Sequence, residues 1–288
     1  MEQQQRLASG RRALLEWYEP GRGSYPWRRT RDPYRVLVSE VMLQQTQASR
    51  VVPAYRSFVR RFPSVRTLAD APLREVVVAW DGLGYNRRAV ALSEAAHLIV
   101  REHAGRVPQD IGALQDLPGV GPYTAAAVAS IAFGLPVAAV DTNVRRVVAR
   151  TIDGADGDGI GAARIRALAE AWLHRDDPGA WNQALMDLGR EVCRPRPRCE
   201  ACPLRASCRF GELGRTPAGT RRRQLAFEGS FRQVRGAVVR VLRTDGSRSM
   251  EELADRAGMD PERLHKAVDR LAADGLVVVR GERVSLAD

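Results

Sequence analysis

The cysteines of this chain are the residues whose spacing most directly indicates chemistry. All four fall within one short window, at Cys193, Cys199, Cys202 and Cys208, with five, two and five residues between them. Disulfides are unusual in the cytosol, and four thiols placed this closely typically bind a metal. The spacing therefore predicts a metal site, and it suits a tetrahedral zinc ion and an iron–sulfur cluster equally well.

Two carboxylates are the second candidates for chemistry. Glu40 lies in VLVSEVMLQQ, in line with Val36 and Leu43 on a predicted helix, so it borders an apolar stripe. Burial there would raise its pKa and let it hold and donate a proton. Asp141 follows an apolar stretch and opens a predicted helix. Taken alone, the local sequence favours a helix cap for Asp141 and a surface or ion-paired role for Glu40.

A glycine-rich segment, Leu117-Pro-Gly-Val-Gly-Pro-Tyr123, has the pattern of a phosphate-binding turn. Gly119 and Gly121 flank Val120, and a helix is predicted to start directly afterwards. Backbone N–H groups at a helix N-terminus point outward, so they can bind a DNA phosphate without reading the base sequence. A plain turn between two helices would have the same pattern.

The charge of the chain favours nucleic acid as the partner. The net charge is +11 over 288 residues, and ten arginines stand against three glutamates between Arg190 and Arg223. Such an excess attracts a polyanion, although a solvated basic surface would give the same count. No apolar run reaches the ~18 residues of a membrane span, and the N-terminus lacks the pattern of a signal peptide. We therefore expect a cytoplasmic, nucleoid-associated protein without a membrane partner.

The elements that must position these residues are mainly helices. Apolar residues recur at three- and four-residue spacing through residues 1–190. Residues 211–230 predict a basic linker. Residues 231–288 predict three helices, one of them opened by a capping box at Ser249–Glu252, followed by a two-stranded hairpin. We therefore expect a mainly α catalytic domain over 1–210 that includes the cysteine loop, and a small α+β winged-helix domain over 231–288.

Together these segments resemble the helix-hairpin-helix (HhH-GPD) DNA glycosylase superfamily and, within it, the adenine glycosylase (MutY) family. The resemblance runs from about Tyr25 to Cys208 and includes the cysteine cluster. Its other motifs, in order, are PWR at Pro26–Arg28, SEVMLQQTQ at Ser39–Gln47, GLGY at Gly82–Tyr85, LPGVGPYTA at Leu117–Ala125, VDTNVRRV at Val140–Val147 and NQALMDLG at Asn182–Gly189. Their number and order identify the superfamily, and PWR with the QQT motif indicates the family.

The resemblance implies a two-lobed helical fold and a role for each motif. Glu40 would protonate the adenine ring, Asp141 would stabilise the positive charge on the sugar, Asn143 would orient these groups, and Tyr123 would lie beside the sugar. The other implied sites are the pocket for the flipped adenine at Trp27, Arg28, Leu43 and Gln183, the wedge near the opposite base at Gln45, Thr46 and Tyr85, the phosphate site at Gly119, Val120 and Gly121, and a [4Fe-4S] cluster on the four cysteines.

The implied function is base-excision repair by a monomer acting on double-stranded DNA with a mispaired or oxidised base pair. The enzyme would hydrolyse the N-glycosidic bond of adenine opposite 8-oxoguanine or guanine. It would be monofunctional, because lyases of the superfamily carry lysine where this chain has Tyr123, and Lys266 is its only lysine. Two alternatives stay open: a thymine or uracil mismatch glycosylase, which also uses tyrosine there, and a non-catalytic iron–sulfur winged-helix regulator.

Three features depart from the pattern of the family. The first cysteine interval is five residues, where six is usual, and the usual Asp-Gly-Asn reads Asp141-Thr142-Asn143. Many members also carry a C-terminal domain that recognises 8-oxoguanine, and the predicted winged helix stands in its place here. The preference for the opposite base is therefore open.

Overall fold

The computed structural model of the protein describes residues 2–19, 24–156, 159–217 and 227–288. Much of the predicted linker, residues 218–226, lies outside this range. The chain forms two compact units. The first comprises Met1–Glu40, Pro108–Asp116 and Val120–Arg221, and the second comprises Val41–Val107, Leu117–Gly119 and Arg222–Asp288.

The described chain is mainly helical, which confirms the predicted fold class. In chain order the helices are α1 Glu2–Tyr18, α2 Pro33–Leu43, α3 Ala48–Arg61, α4 Val65–Ala69, α5 Leu73–Ala79, α6 Arg87–Glu102, α7 Ile111–Gln115, α8 Pro122–Phe133, α9 Thr142–Val148, α10 Ala162–Ala171, α11 Pro178–Glu191, α12 Arg209–Glu212, α13 Phe231–Asp245, α14 Met250–Ala257 and α15 Pro261–Ala273. The strands are β1 Arg248–Ser249, β2 Val277–Arg280 and β3 Arg283–Leu286. In the described part of the chain, no helix is both long and apolar enough to cross a membrane.

The core of the first unit is built on α8 and α11, which pack against each other and are buried over most of their length. Gly179 permits their close approach, because a Cβ there would lie 3.0 Å from the carbonyl oxygen of Ser130. Trp181 of α11 meets Trp172 edge to face, with 5.0 Å between the ring centroids. Helices α1 and α9 pack on α11. This buried framework fixes the side chains that α2, α8, α9 and α11 carry.

The second unit contains α3 to α6, which pack around aromatic side chains. Phe58 and Trp80 meet edge to face at 5.8 Å between ring centroids, and each is fully buried. Helix α6 packs against α4 and α5. The short helix α4 is held by the capping box of Ser64 and Thr67. Helices α4 and α5 therefore support α6.

The C-terminal residues of the second unit have the predicted winged-helix pattern with one strand more than expected. Ser249 and Glu252 form the predicted capping box at the start of α14. The sheet order is β1-β3-β2, all antiparallel, with Ser249 opposite Arg283 and Val277 opposite Leu286. The predicted hairpin is present as β2 and β3. The sequence did not predict β1, because a strand of two residues is too short to show alternation.

The C-terminal residues pack on α5 and α6 within the second unit. Arg235 donates a hydrogen bond to Asp274 at 2.6 Å, Arg87 of α6 lies 3.6 Å from the same carboxylate, and Arg243 pairs with Asp81. Residues 227–288 contain eleven basic and eleven acidic side chains. The +11 net charge of the chain therefore comes from residues 1–226.

Candidate functional site

Glu40 belongs to a buried polar cluster in the first unit. Helix α2, which carries it, begins after Asp32, whose carboxylate accepts a hydrogen bond from the backbone N–H of Arg35 at 2.8 Å. Glu40 is 2% exposed. Burial raises its pKa, while the charge of Arg28 and a hydrogen bond from Tyr123 oppose the shift. The protonated form is therefore favoured relative to a glutamate in water.

The hydroxyl of Tyr123 connects Glu40 to helix α11. It donates a hydrogen bond to Oε2 of Glu40 at 2.9 Å and lies 3.4 Å from the sulfur of Met186. Gly121 is the N-cap of α8, so Tyr123 lies in the first turn of that helix. Burial and the charges of Glu40 and Asp141 raise the pKa of Tyr123 well above its usual value. The phenol therefore stays neutral and acts as a hydrogen-bonding group.

Arg28 and Asp187 form a buried ion pair close to Glu40. The 3-10 helix Pro26–Arg29 carries Arg28, whose Nη2 donates a hydrogen bond to Oδ1 of Asp187 at 2.9 Å. Burial opposes its charge, but Asp187 and Glu40 are among the groups that raise its pKa above the usual value. Among the described residues, Nε and Nη1 of Arg28 are buried without a hydrogen-bond partner. Buried donors are normally satisfied, so these two suit a ligand that enters the site.

Asp187 and Met186 contact this cluster but were not among the site residues predicted from the sequence. Gln183 and Asp187 are four residues apart on α11 and therefore share one face of the helix. Gln183 is 5% exposed, and its side-chain oxygen accepts a hydrogen bond from the hydroxyl of Tyr18 at 2.7 Å. Two polar residues at this spacing on a buried helix are a signal that identifies Asp187. No comparable signal in the sequence points to Tyr18.

The predicted pocket residue Trp27 is linked to Asp187 through Tyr25 and Arg190. Trp27 is 1% exposed and stacks on Tyr25, with 5.1 Å between ring centroids and 7° between planes. The guanidinium carbon of Arg190 lies 4.8 Å from the centroid of Tyr25. Nη2 of Arg190 is also 3.1 Å from Oδ1 of Asp187, the atom that binds Arg28. The two predicted pocket residues Trp27 and Arg28 are thus linked through one aspartate.

Asp141 is the N-cap of α9, and hydrogen bonds fix its carboxylate. Oδ1 accepts from the backbone N–H groups of Asn143 and Val144 at 2.9 and 2.7 Å, and Oδ2 accepts from Nδ2 of Asn143 at 2.9 Å. Burial raises the pKa of Asp141, and these hydrogen bonds oppose the shift. Its charge is among those that raise the pKa of Glu40. Asp141 is therefore a helix cap and also an electrostatic neighbour of Glu40, while the side chain of Thr142 is exposed.

Arg146, which the sequence did not single out, links the α9 cap to the cysteine segment. Its Nη2 donates to the side-chain oxygen of Asn143 at 3.0 Å and to the carbonyl oxygen of Gly189 at 2.7 Å. Its Nε donates to the carbonyl oxygen of Cys193 at 2.7 Å. Gly189 has no room for a side chain, since a Cβ would lie 2.7 Å from Cβ of Asn143.

The four predicted metal ligands, Cys193, Cys199, Cys202 and Cys208, line one cavity as free thiols. Burial, and after it the proximity of the other three cysteines, raises the pKa of Cys202 to about 12. Nη1 of Arg150, itself buried, lies 3.7 Å from the sulfur of Cys193. Within the described residues, no group of three His, Cys, Asp or Glu side chains is arranged to hold a metal ion. The structure therefore brings the four thiols together without forming a single-ion site.

The predicted wedge residues lie on two adjacent loops of the second unit. Gln45 and Tyr85 are exposed, and both have a left-handed backbone, with φ of 55° and 46°. The hydroxyl of Thr46 lies 3.4 Å from the carbonyl oxygen of Leu83, which joins the two loops. Leu43, predicted for the adenine pocket, is the last residue of α2 and belongs to this unit.

Of the two glycines in the predicted phosphate-binding turn, Gly119 has a backbone conformation that favours glycine and Gly121 does not. Gly119 has φ of 76°, and a Cβ there would lie 2.9 Å from Cβ of Ala91. The carbonyl oxygen of Gly119 accepts a hydrogen bond from Nε2 of Gln44 at 3.2 Å. Val120 is 5% exposed, and Gly121 caps α8. The N–H groups in the first turn of α8 lack partners within the helix, as at any helix N-terminus.

The first unit can therefore supply acid chemistry next to a fixed anion. Glu40 favours its protonated form, Asp141 is held by hydrogen bonds, and Arg28 offers unsatisfied donors. A carboxylic acid and a second carboxylate are the pair that breaks glycosidic bonds through an oxocarbenium-like transition state.

Comparisons with known proteins identify the family of the chain. Residues 38–174 match the family described as HhH-GPD superfamily base excision DNA repair protein. An adenine DNA glycosylase of Mycolicibacterium smegmatis is 43% identical over 269 residues, which cover 92% of this chain and 91% of the relative. The human adenine DNA glycosylase is 43% identical over 211 residues, which cover 69% of this chain and 39% of that protein.

Solved structures show the same fold. A thermostable thymine-DNA glycosylase matches with a TM-score of 0.68 and 33% identity, over 73% of this chain and 98% of that one. An endonuclease III trapped as a covalent intermediate with DNA matches with a TM-score of 0.63 and 24% identity, over 74% of this chain and 99% of that one. Together with the extent of the sequence matches, this assigns the chain to the adenine DNA glycosylase family of HhH-GPD base-excision repair proteins, and its activity is the removal of adenine from DNA.

Proposed function

We propose that the protein hydrolyses the N-glycosidic bond of adenine mispaired with 8-oxoguanine or guanine in duplex DNA. The observation that carries this proposal is the buried Glu40, whose pKa is raised and whose Oε2 accepts a hydrogen bond from Tyr123. Because Tyr123 donates to Oε2, the acidic proton of Glu40 belongs on Oε1. A carboxyl group whose protonated form is favoured by burial is suited to protonate a leaving base.

The reaction then follows from the two carboxyl groups. Glu40 gives its proton to the adenine ring, and the bond to C1′ breaks with its electron pair leaving on the base. Asp141, oriented by Asn143, stabilises the positive charge that develops on the sugar. Water adds at C1′ and loses a proton, so the products are free adenine and an abasic site. Tyr123 lies beside the sugar and keeps Glu40 oriented.

The adenine must leave the base stack before this can occur. We assign its pocket in the first unit to Trp27, Arg28 and Gln183, because the buried unsatisfied donors of Arg28 suit the acceptor nitrogens of a purine ring. The role of Leu43 in binding adenine stays a prediction from the family resemblance. Gln45, Thr46 and Tyr85 would enter or support the stack near the opposite base. Gly119, Val120 and Gly121 would bind a DNA phosphate through backbone N–H groups.

The proposed enzyme leaves the DNA backbone intact. A lyase needs an amine that forms a Schiff base with C1′, and the single lysine of the chain, Lys266, pairs with Glu262 on α15. Tyr123 stands at the family position of the lyase lysine and cannot form an imine.

We assign a [4Fe-4S] cluster to Cys193, Cys199, Cys202 and Cys208. The four thiols line one cavity and could supply one thiolate to each iron of such a cluster. When bound, the cluster would order the arginine-rich segment that follows α11. Metal analysis of the purified protein should find iron; stoichiometric zinc without iron would overturn this assignment.

Base release from defined duplexes tests the proposed function. The substrates carry adenine opposite 8-oxoguanine, guanine or cytosine, with thymine or uracil opposite guanine as controls. We expect release of adenine opposite 8-oxoguanine and guanine, and strand cleavage only after alkali. Release of thymine or uracil but not adenine would favour the activity named for the thymine-DNA glycosylase of the same fold. Binding without any release would favour the regulator. We also expect a monomer in the cytoplasm, associated with the nucleoid.

A further inference from the structure

Arg88, in the first turn of α6, donates hydrogen bonds to oxygen atoms that lie outside this helix. Its Nη1 donates hydrogen bonds to the carbonyl oxygens of Val41, Met42 and Gln44 at 2.9, 2.8 and 2.7 Å. These carbonyls belong to the C-terminal end of α2 and to the loop after it. One side of the guanidinium therefore holds the segment that leads into Gln45.

The other side of the same guanidinium holds the second loop. Nη2 of Arg88 donates to the hydroxyl of Thr46 at 3.0 Å and to the carbonyl oxygens of Leu83 and Gly84 at 3.1 and 3.0 Å. Its guanidinium carbon lies 5.7 Å from the ring centroid of Tyr85. The planar fork of arginine thus bridges both loops, which a single-point cation cannot do.

The two bridged loops carry left-handed backbone at their exposed residues. Within the described chain, the non-glycine residues with positive φ are Gln45, Tyr85 and Ala104. Two of the three therefore stand on the loops that Arg88 joins. Such conformations persist only where surrounding contacts fix them, and Arg88 supplies those contacts.

The charge of Arg88 also fits its position. A cation in the first turn of a helix is disfavoured by the helix dipole, but the guanidinium points to the C-terminal carbonyls of α2, where a cation is favoured. Burial lowers its pKa to about 10, so it remains charged at neutral pH. Among the described residues, its Nε is buried without a hydrogen-bond partner.

We propose that Arg88 is a positioning residue that sets Gln45 and Tyr85 for insertion into the DNA stack, so that it controls base extrusion and leaves the chemical step to the first unit. This inference rests on the proposed wedge role of Gln45 and Tyr85. It predicts that loss of Arg88 slows excision only where the adenine must first be unstacked.

The test compares Arg88→Met and Arg88→Lys with Arg101→Met, a control on the last turn of the same helix whose side chain is exposed and pairs with Glu102. Single-turnover release is measured at saturating enzyme on adenine opposite 8-oxoguanine, and on adenine opposite a tetrahydrofuran abasic analogue, where extrusion is easier. Fluorescence of 2-aminopurine at the target position reports unstacking directly.

We expect Arg88→Met to slow release opposite 8-oxoguanine by about 100-fold, the cost of misplacing a positioning group, and to slow release opposite tetrahydrofuran much less. The fluorescence rise on binding should fall in parallel. Arg88→Lys, which keeps the charge but loses the planar fork, should show the same selective defect to a smaller degree. Equal slowing on both substrates, or full rescue by lysine, would overturn the proposal. If even the wild type fails on both substrates, the proposed function itself has failed instead.

Discussion

The two compact units hold their functional side chains in opposite ways. In the first, Glu40 and Arg28 are buried, and side-chain hydrogen bonds fix them. In the second, Gln45 and Tyr85 are exposed, and hydrogen bonds from Arg88 fix the main chain around them. A proton donor needs a desolvated environment that shifts its pKa, whereas a side chain that enters a base stack must stay accessible. The order of an exposed wedge must therefore come from its backbone.

The largest expected effect is the loss of the acid in the first unit. Glu40→Gln should lower the single-turnover rate of adenine release by about 1,000-fold, because glutamine cannot supply the proton to the leaving base. Binding to mismatched duplex should change little. The matched control is Glu94→Gln on α6, an exposed glutamate. A rate within tenfold of the wild type would remove Glu40 from the acid role.

The next effect separates the charge of Asp141 from its function as a cap. Asparagine caps helices as well as aspartate, so Asp141→Asn should fold normally and lose about 100-fold or more in rate because the sugar charge loses its anion. Asp110→Asn makes the same change at the N-cap of α7, where Oδ1 accepts from Ala113 N–H at 2.9 Å. If both variants excise at the wild-type rate, capping is the whole role of Asp141.

A smaller effect is expected from the backbone of the phosphate-binding turn. Gly119→Ala should destabilise the protein by ~1–2 kcal/mol, because φ is 76° and Cβ would meet Ala91. Gly121→Ala is the matched control for stability, since no atom lies within 4 Å of a Cβ there and its φ is −86°. Denaturant unfolding measures both. Equal stability of the two variants would contradict the strained geometry of Gly119.

The smallest effect is on stability as a function of pH. The pKa of Glu40 is raised on folding, so its contribution to stability is present in full below the pKa of unfolded glutamate and is lost as pH rises through the folded value. Glu40→Gln should therefore gain in melting temperature relative to the wild type on going from about pH 4 to neutral pH. A constant difference in melting temperature between Glu40→Gln and the wild type across that range would mean that the pKa of Glu40 does not change on folding.

Sequence patterns predicted the elements better than the contacts between them. The capping box of Ser249 and Glu252 is a local signal, and it is present. The pairing of Arg28 with Asp187 joins residues 159 positions apart, so no local pattern contains it. Arg88 lies three residues after the GLGY motif. Its proposed role depends mainly on backbone carbonyl groups, which every residue has, so the sequence gives no signal for it.

Arg146 couples the cap of α9 to the cysteine segment. One guanidinium touches Asn143, which orients Asp141, and also the carbonyl oxygens of Gly189 and Cys193 at the entrance to the cysteine segment. If that segment loses its order, Arg146 loses an anchor, and Asn143, which donates a hydrogen bond to the proposed catalytic anion Asp141, is held less firmly. Under the proposed mechanism, we expect such a molecule to excise adenine more slowly from any base pair. Because removal of a correctly paired adenine would itself damage DNA, loss of activity is less harmful than activity without control.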